Sequence, residues 1–316
     1  MSEKFKPLDL GRVKTYSLAR RSSMVNTVDF AKIWQRGGTF KDFVTQLPDI
    51  LAAADIKAVI SALTAAVRTN KTVIWGMGAH VIKVGLNPVV IDLMERGIIQ
   101  CVALNGAGII HDLELAMAGH TSEDVAAAID DGSFGMAEDT AVFLGTALRT
   151  AQPESSGLGH AVGRAIAQQN LPFSENSILA AGFRLGIPVT VHVAIGTDIT
   201  HMHPHFDPAR TGEASHYDFR LFAAMVARLD KGVYFNTGSA VILPEVFLKA
   251  VTLARNLGYP LGEFTTVNLD FIRHYRPLTN VVNRPTAKGG TGINLIGHHE
   301  IMLPMIAAGV IEQLEG

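Results

Sequence analysis

The stretch 72-TVIWGMGAHVIKVGLNPVVIDLMERGIIQCVALNGAG-108 decides the fold. A short apolar run, TVIW, breaks at a glycine turn. A helical segment follows and stops at Gly97, and a second apolar run, IIQCVAL, enters another small-residue turn, NGAG. Short β-rich runs bounded by glycine read as strands; a longer segment with apolar residues at helical spacing reads as a helix. Strand, helix and strand in that order make a parallel pair, because only a crossover can return the chain to the starting edge.

The alternation continues outward. DILAAADIKAVISALTAAVRT, about 49–69, is a helix by its apolar spacing. IIHDLELAMAG starts another; 122–170 is mostly helical, with a DDGSFG loop inside it and a Pro/Ser/Gly loop, QPESSGLG, at 152–159. Further helices are expected over 175–186, 215–230, 244–257 and 298–314, with IPVTVHVAI, GVYFNTG and FTTVNL as strands between them. The expected fold is α/β: a Rossmann-like, mainly parallel sheet with helices on both faces. It occupies 46–316 as one domain behind an irregular N-terminal arm, 1–45.

Of 316 residues, 48% are hydrophobic and 18% charged, a balance that suits a buried core and apolar subunit contacts. A homo-oligomer, dimer or tetramer, is expected. The formal charge of −2 argues against nucleic acid, whose phosphates need a basic surface. The single cysteine, Cys101, excludes an internal disulfide and reads as a buried structural thiol. MSEKFKPLDLGRVKTYS lacks the apolar core of a signal peptide, and no run of eighteen apolar residues occurs. These point away from membranes and to the cytoplasm.

In such a sheet, ligands sit beyond the carboxyl ends of the strands. The turns there are WGMGAHV, LNGAG, AIGTDITHMH, FNTGSA and VNLD. Gly76, Gly78 and Gly85 miss the G-x-G-x-x-G spacing, so the first turn alone means only a tight turn. Several such turns aligned at one edge point to a nucleotide-type ligand. In 199-ITHMHPHFDP-208, His201, His203 and His205 alternate. They read as a metal site, as acid–base groups, or as a solvated loop.

These motifs resemble the deoxyhypusine synthase family. The resemblance rests on IWGMGAHVIKVGLNPVVIDLMERGIIQCVALNGAGIIHDLELAMAG, GIPVTVHVAIGTDITHM, KGVYFNTGSAVILPEVFLKA, FTTVNLDF and GINLIGHHEIMLPMIAAGV, in order over about 70–310. It implies NAD as cofactor and a tetramer with sites between subunits. It also implies a reaction in which spermidine is oxidised and its aminobutyl group passes through an enzyme lysine. Carried over, the NAD-binding positions are Gly78, Ala79, His80 and Lys83; Asn105, Gly106 and Ala107; Gly196 and Asp198; Gly238 and Ser239; and Thr266 and Val267.

The chain departs from the family at its charges. Three family carboxylates are replaced by His111, His201 and His298, and the Trp-Gly-Lys-like context of the catalytic lysine is absent. Only Lys288, in PTAKGGTG, is near enough in sequence to replace that lysine. Polyamine ammonium groups need carboxylates, whereas imidazoles suit an anionic or polyol substrate, or a metal. His111, His201, His203, His205, His298 and His299 are the candidate ligands for a divalent metal such as zinc. Three functions follow: a diverged NAD-dependent enzyme acting through His111, His201 and His298; an aminobutyl transferase with Lys288 as imine-forming lysine; or a non-catalytic nucleotide-binding protein. Weaker candidates are the cationic run Arg273, His274, Tyr275 and Arg276, a phosphate or carboxylate site or else surface ion pairs, and the loop 283–292 with Arg284, a lid or else an exposed connection.

Overall fold

The structure is a computed structural model that describes residues 5–151 and 156–315, so the first part of the 152–159 loop lies outside it. Six strands form one sheet, all pairs parallel: β1 (Val73–Met77), β2 (Cys101–Asn105), β3 (Val189–His192), β4 (Val233–Thr237), β5 (Thr265–Asp270) and β6 (Thr291–Ile296). Their spatial order is β3-β2-β1-β4-β5-β6, the doubly wound order of a Rossmann-like fold.

Alternation along the strands divides the core. Trp75 stacks on Phe235 at 4.0 Å on one face, and Tyr234 stacks on Phe247 at 3.7 Å on the other. Both faces are covered, so β1 and β4 are buried along their whole length. Cys101 is buried beneath the second face, and burial pushes its thiol pKa upward.

The helices are α1 (Phe40–Gln46), α2 (Leu51–Arg68), α3 (His80–Lys83), α4 (Asn87–Glu95), α5 (Gly106–Ala118), α6 (Val125–Ala128), α7 (Glu138–Thr150), α8 (Leu158–Gln169), α9 (Ile178–Leu185), α10 (Pro208–Val226), α11 (Ile242–Asn256), α12 (Tyr275–Pro277) and α13 (His299–Glu315). Two buried carboxylates anchor helix starts. Asp112 accepts from the backbone N–H groups of Ile178 and Leu179 and from Ser177 and Asn87. Asp218 accepts from the N–H groups of Gly159 and Val191. Burial raises their pKa values to about 6 and about 7. Asp112 ties the start of α9 to α5 and α4, and Asp218 ties the start of α8 and β3 to α10; both are buried.

Two expectations shift. The helix expected to end at Gly97 is two, α3 and α4, separated at Gly85. The helix expected from 215 starts at Pro208, where Asp207 accepts from the Arg210 N–H. The loop 283–292, readable as a lid or as an exposed connection, runs from a π-helical turn, Leu278–Asn283, through a turn into β6. Residues 5–38 carry many exposed large apolar side chains, including Leu8, Met24, Val28 and Ile33. They touch the rest through few bonds, such as Lys32 N–H to Gln46 O and Asp49 N–H to Asp29 O. Among the described residues no helix is long and apolar enough to cross a membrane.

Candidate functional site

The strand order reverses between β1 and β4, where the crevice of such a sheet usually opens. Here it is closed. A Cβ on Gly78 would run into the Gly238 carbonyl, and Gly238, at φ +65°, packs against the His299 ring. His80 and Phe271 lie against His299 at 5.4 and 5.9 Å between ring centroids. Gly78 and Gly238 are therefore used for close packing inside the protein.

The open space lies to one side, over the ends of β2 and β3. It is a cleft of about 580 Å³, within the range of small-molecule sites, with Ile110, Met117 and Phe134 among its apolar walls. Lys83, Ala107, His111, Glu114, Thr121 and Asp198 also line it. Lys83 makes no ion pair among the described residues.

α5 builds the centre of this cleft. It starts at Gly106 because the Asn105 side chain accepts from the Gly108 N–H, and it ends at Gly119 in the left-handed conformation. That turn brings Thr121 back beside the helix. His111 Nδ1 lies 2.7 Å from the Thr121 hydroxyl, which donates to Glu114 Oε2. The other Glu114 oxygen accepts from Thr140 at the start of α7, at 3.2 Å. Burial lowers the His111 pKa; Glu114 opposes this and Lys83 adds to it. The imidazole is thus favoured in its neutral form.

The histidine loop has another task. His201 Nδ1 accepts from the N–H groups of Gly196 (3.0 Å) and Asp198 (3.2 Å), and its ring packs on Phe206. Its side chain is only 7% exposed. His201 holds the turn that carries Asp198, and that carboxylate fills the space where a side chain at Gly106 would stand. Burial raises the Asp198 pKa and His201 partly offsets this. A carboxylate thus covers the start of α5, where a phosphate was expected.

The expected convergence of His111, His201 and His298 does not form. His298 is exposed and stacks on Phe271 at 6.3 Å, beyond β6. His299 is buried, with Nε2 3.3 Å from the Leu269 carbonyl. His203 and His205 stack on one another at 5.3 Å. Among the described residues, no three His, Cys, Asp or Glu side chains are arranged to hold a metal ion, so the zinc expectation is not supported.

Other positions move too. Thr266 and Val267 are in the buried middle of β5, and the Thr266 hydroxyl donates to the Val281 carbonyl. The strand reaches the ligand edge only at Asp270. Ser239 accepts from the Leu243 N–H and helps start α11. Lys288 precedes β6, beside the start of β5, where Thr291 N–H donates to Phe264 O. It is therefore at the opposite end of the sheet from the cleft. Of the carried-over positions, Lys83, Ala107, His111 and Asp198 share the cleft. Glu114 and Thr121 were missed; a His and an acid three apart on one helix were a readable signal, but Thr121 had none.

No family model matches the chain, and no curated protein matches it in sequence. Solved structures match its shape. A protein of Entamoeba histolytica named as a deoxyhypusine synthase aligns at TM-score 0.55 and 10% identity, over 89% of this chain and 96% of that one. A protein of Methanococcus maripaludis S2 named as LOR/SDH aligns at 0.50 and 15%, over 89% and 72%. AgrE, in its ternary complex with ornithine and NAD+, aligns at 0.54 and 12%, over 84% of this chain. This chain spans 34% of AgrE. Identities this low establish fold alone: the chain has a Rossmann-like fold like that of these proteins.

Proposed function

We propose that this chain is a small-molecule enzyme in which His111 is the acid–base group, working in the cleft over β2 and β3 beside a dinucleotide of the NAD type. The observation that carries the reading is an imidazole on the wall of an open cleft, hydrogen-bonded to a hydroxyl that donates in turn to a carboxylate.

Support for the dinucleotide comes from the fold, shared with a protein crystallised with NAD+, and from the residues in the cleft. Lys83 suits its phosphate oxygens and Asp198 its ribose hydroxyls. The glycine turns are poor candidates, since Gly78, Gly106 and Gly238 are closed by packing. Such a dinucleotide supplies a hydride acceptor when bound. His111 takes or returns the proton of the substrate, while Lys83 and Asp198 hold what lies beside it.

Glu114, Glu123, Asp139 and Asp198 line the cleft against Lys83. That balance favours a polyol or amine over an anionic substrate. Aminobutyl transfer through Lys288 is disfavoured, because that side chain is across the sheet. A second copy of the chain is the proposed partner. The exposed apolar arm holds seven Lys or Arg and two Asp over 5–38, whereas 39–316 holds 19 basic and 26 acidic residues. Arm and body are thus of opposite charge.

The test is turnover of a panel of amines and polyols with NAD+, using wild type and His111→Asn. Turnover lost in the variant with its melting temperature kept is the expected result. Turnover retained by the variant removes His111 from the chemistry. NAD+ binding without turnover of any compound favours the non-catalytic reading.

A further inference from the structure

We infer that Thr121 and Glu114 are positioning residues that fix one tautomer of His111, with Nδ1 protonated and Nε2 presented to the cleft as a proton acceptor. The inference rests on the acid–base reading above and extends it to the direction of proton transfer and the class of substrate.

The argument is one of donors and acceptors. An ionised carboxylate only accepts, so the Thr121 hydroxyl must give its single proton to Glu114 Oε2. The Thr121 hydroxyl oxygen then has only lone pairs left for His111 Nδ1, 2.7 Å away, and Nδ1 must donate. A neutral imidazole that donates from Nδ1 carries its lone pair on Nε2. Nε2 has no hydrogen-bond partner among the described residues, and the ring lines the cleft. Thr140 keeps Glu114 from turning away by donating to its second oxygen.

The chain of bonds also prepares the second half of a transfer. When a substrate proton moves to Nε2, the ring becomes an imidazolium, and its Nδ1–H still points through Thr121 toward the Glu114 carboxylate. His111 Nδ1 and Glu114 Oε2 are 3.9 Å apart, so the new charge sits beside its counter-charge. Proton removal from the substrate is thus the step this arrangement assists. The substrate class is one that offers an O–H or N–H proton at the reacting atom; a compound that only accepts would find no donor on neutral His111.

The experiment is nitrogen NMR of the imidazoles in the full chain, with His111 assigned through His111→Asn. Wild type should show one neutral form with unprotonated Nε2. Thr121→Val should lose that preference and give a mixture of the two tautomers, whereas Thr121→Ser should restore it. Glu114→Gln should raise the population of the other tautomer and lower the pKa of His111, because the carboxylate that stabilises the imidazolium is gone. A mixture in wild type, or an unchanged tautomer in Thr121→Val with its melting temperature kept, overturns the inference. The readout needs no substrate, so it stands apart from the turnover test: a fixed tautomer in a protein whose turnover ignores His111 would sink the acid–base reading alone.

Discussion

Asp198 occupies the space that a side chain at Gly106 would need. A helix start is a good place for an anion, and this chain fills it with a carboxylate of its own. Gly106→Ala should therefore push Asp198 and its turn away at a cost of about 1–3 kcal/mol, the usual range for overpacking. Adding Asp198→Ala should recover most of the loss. Thermal melts of both single variants and the double variant give the coupling directly, and additive losses would mean that the two residues do not share this space.

His201 and His111 should behave in opposite ways. His201→Ala leaves the Gly196 and Asp198 N–H groups without their acceptor and should cost about 1–2 kcal/mol. His111→Asn, on a cleft wall, should leave the melting temperature within a degree or two of wild type. Urea melts compare the two. Equal stability of both variants would contradict the assignment of His201 to the turn.

Acid should unfold the protein partly through His192. This buried ring lies 3.0 Å from the Thr190 hydroxyl, and burial lowers its pKa to about 3. The unfolded chain takes up that proton near the ordinary value of 6.5, so it binds more protons than the folded state between the two. Stability is present above pH 6.5 and falls as pH drops toward 3, with a limiting slope of about 1.4 kcal/mol per pH unit from this group. Asp218 and Asp112 work in the other sense. Their raised values mean stability present below pH 3.8 and lost as pH rises through about 6 to 7. His192→Gln should flatten the acid limb of a stability–pH curve measured by urea unfolding. An acid limb as steep as wild type would show that His192 is not its source.

The arm offers a test of self-association. Val28→Asp with Ile33→Asp changes two side chains that are 83% and 90% exposed, so the fold should be unaffected. Sedimentation velocity should show wild type as a dimer or larger and the double variant shifted to the monomer, with added salt weakening the wild-type assembly. A monomeric wild type, or an unchanged assembly in the variant, would exclude the arm as the contact.

The sheet was readable because β1, β2 and the first part of β4 are short apolar runs closed by turns, which is what burial on both faces demands, and because β5 alternates Val267 and Leu269 with polar residues. β6 was not. TGINLI is half exposed at a sheet edge, contains glycine and asparagine, and is held through pairing to β5 and an Asn236–Asn268–Asn294 ladder across three strands. Such contacts have no local signature. For the same reason, sequence order suggested three converging histidines, while the topology put His298 beyond β6 and His111 beyond β2. His111 itself was visible as a candidate, but its partners were set by the turn at Gly119 and the packing of α7.

The most direct test of the cleft as the ligand site is calorimetric titration of NAD+ into wild type, Lys83→Met and Lys288→Met. Binding by wild type, weakened about tenfold, or 1.4 kcal/mol, in Lys83→Met and unchanged in Lys288→Met, is the expected result. No binding by wild type, or a loss confined to Lys288→Met, would contradict the placement of the site over β2 and β3.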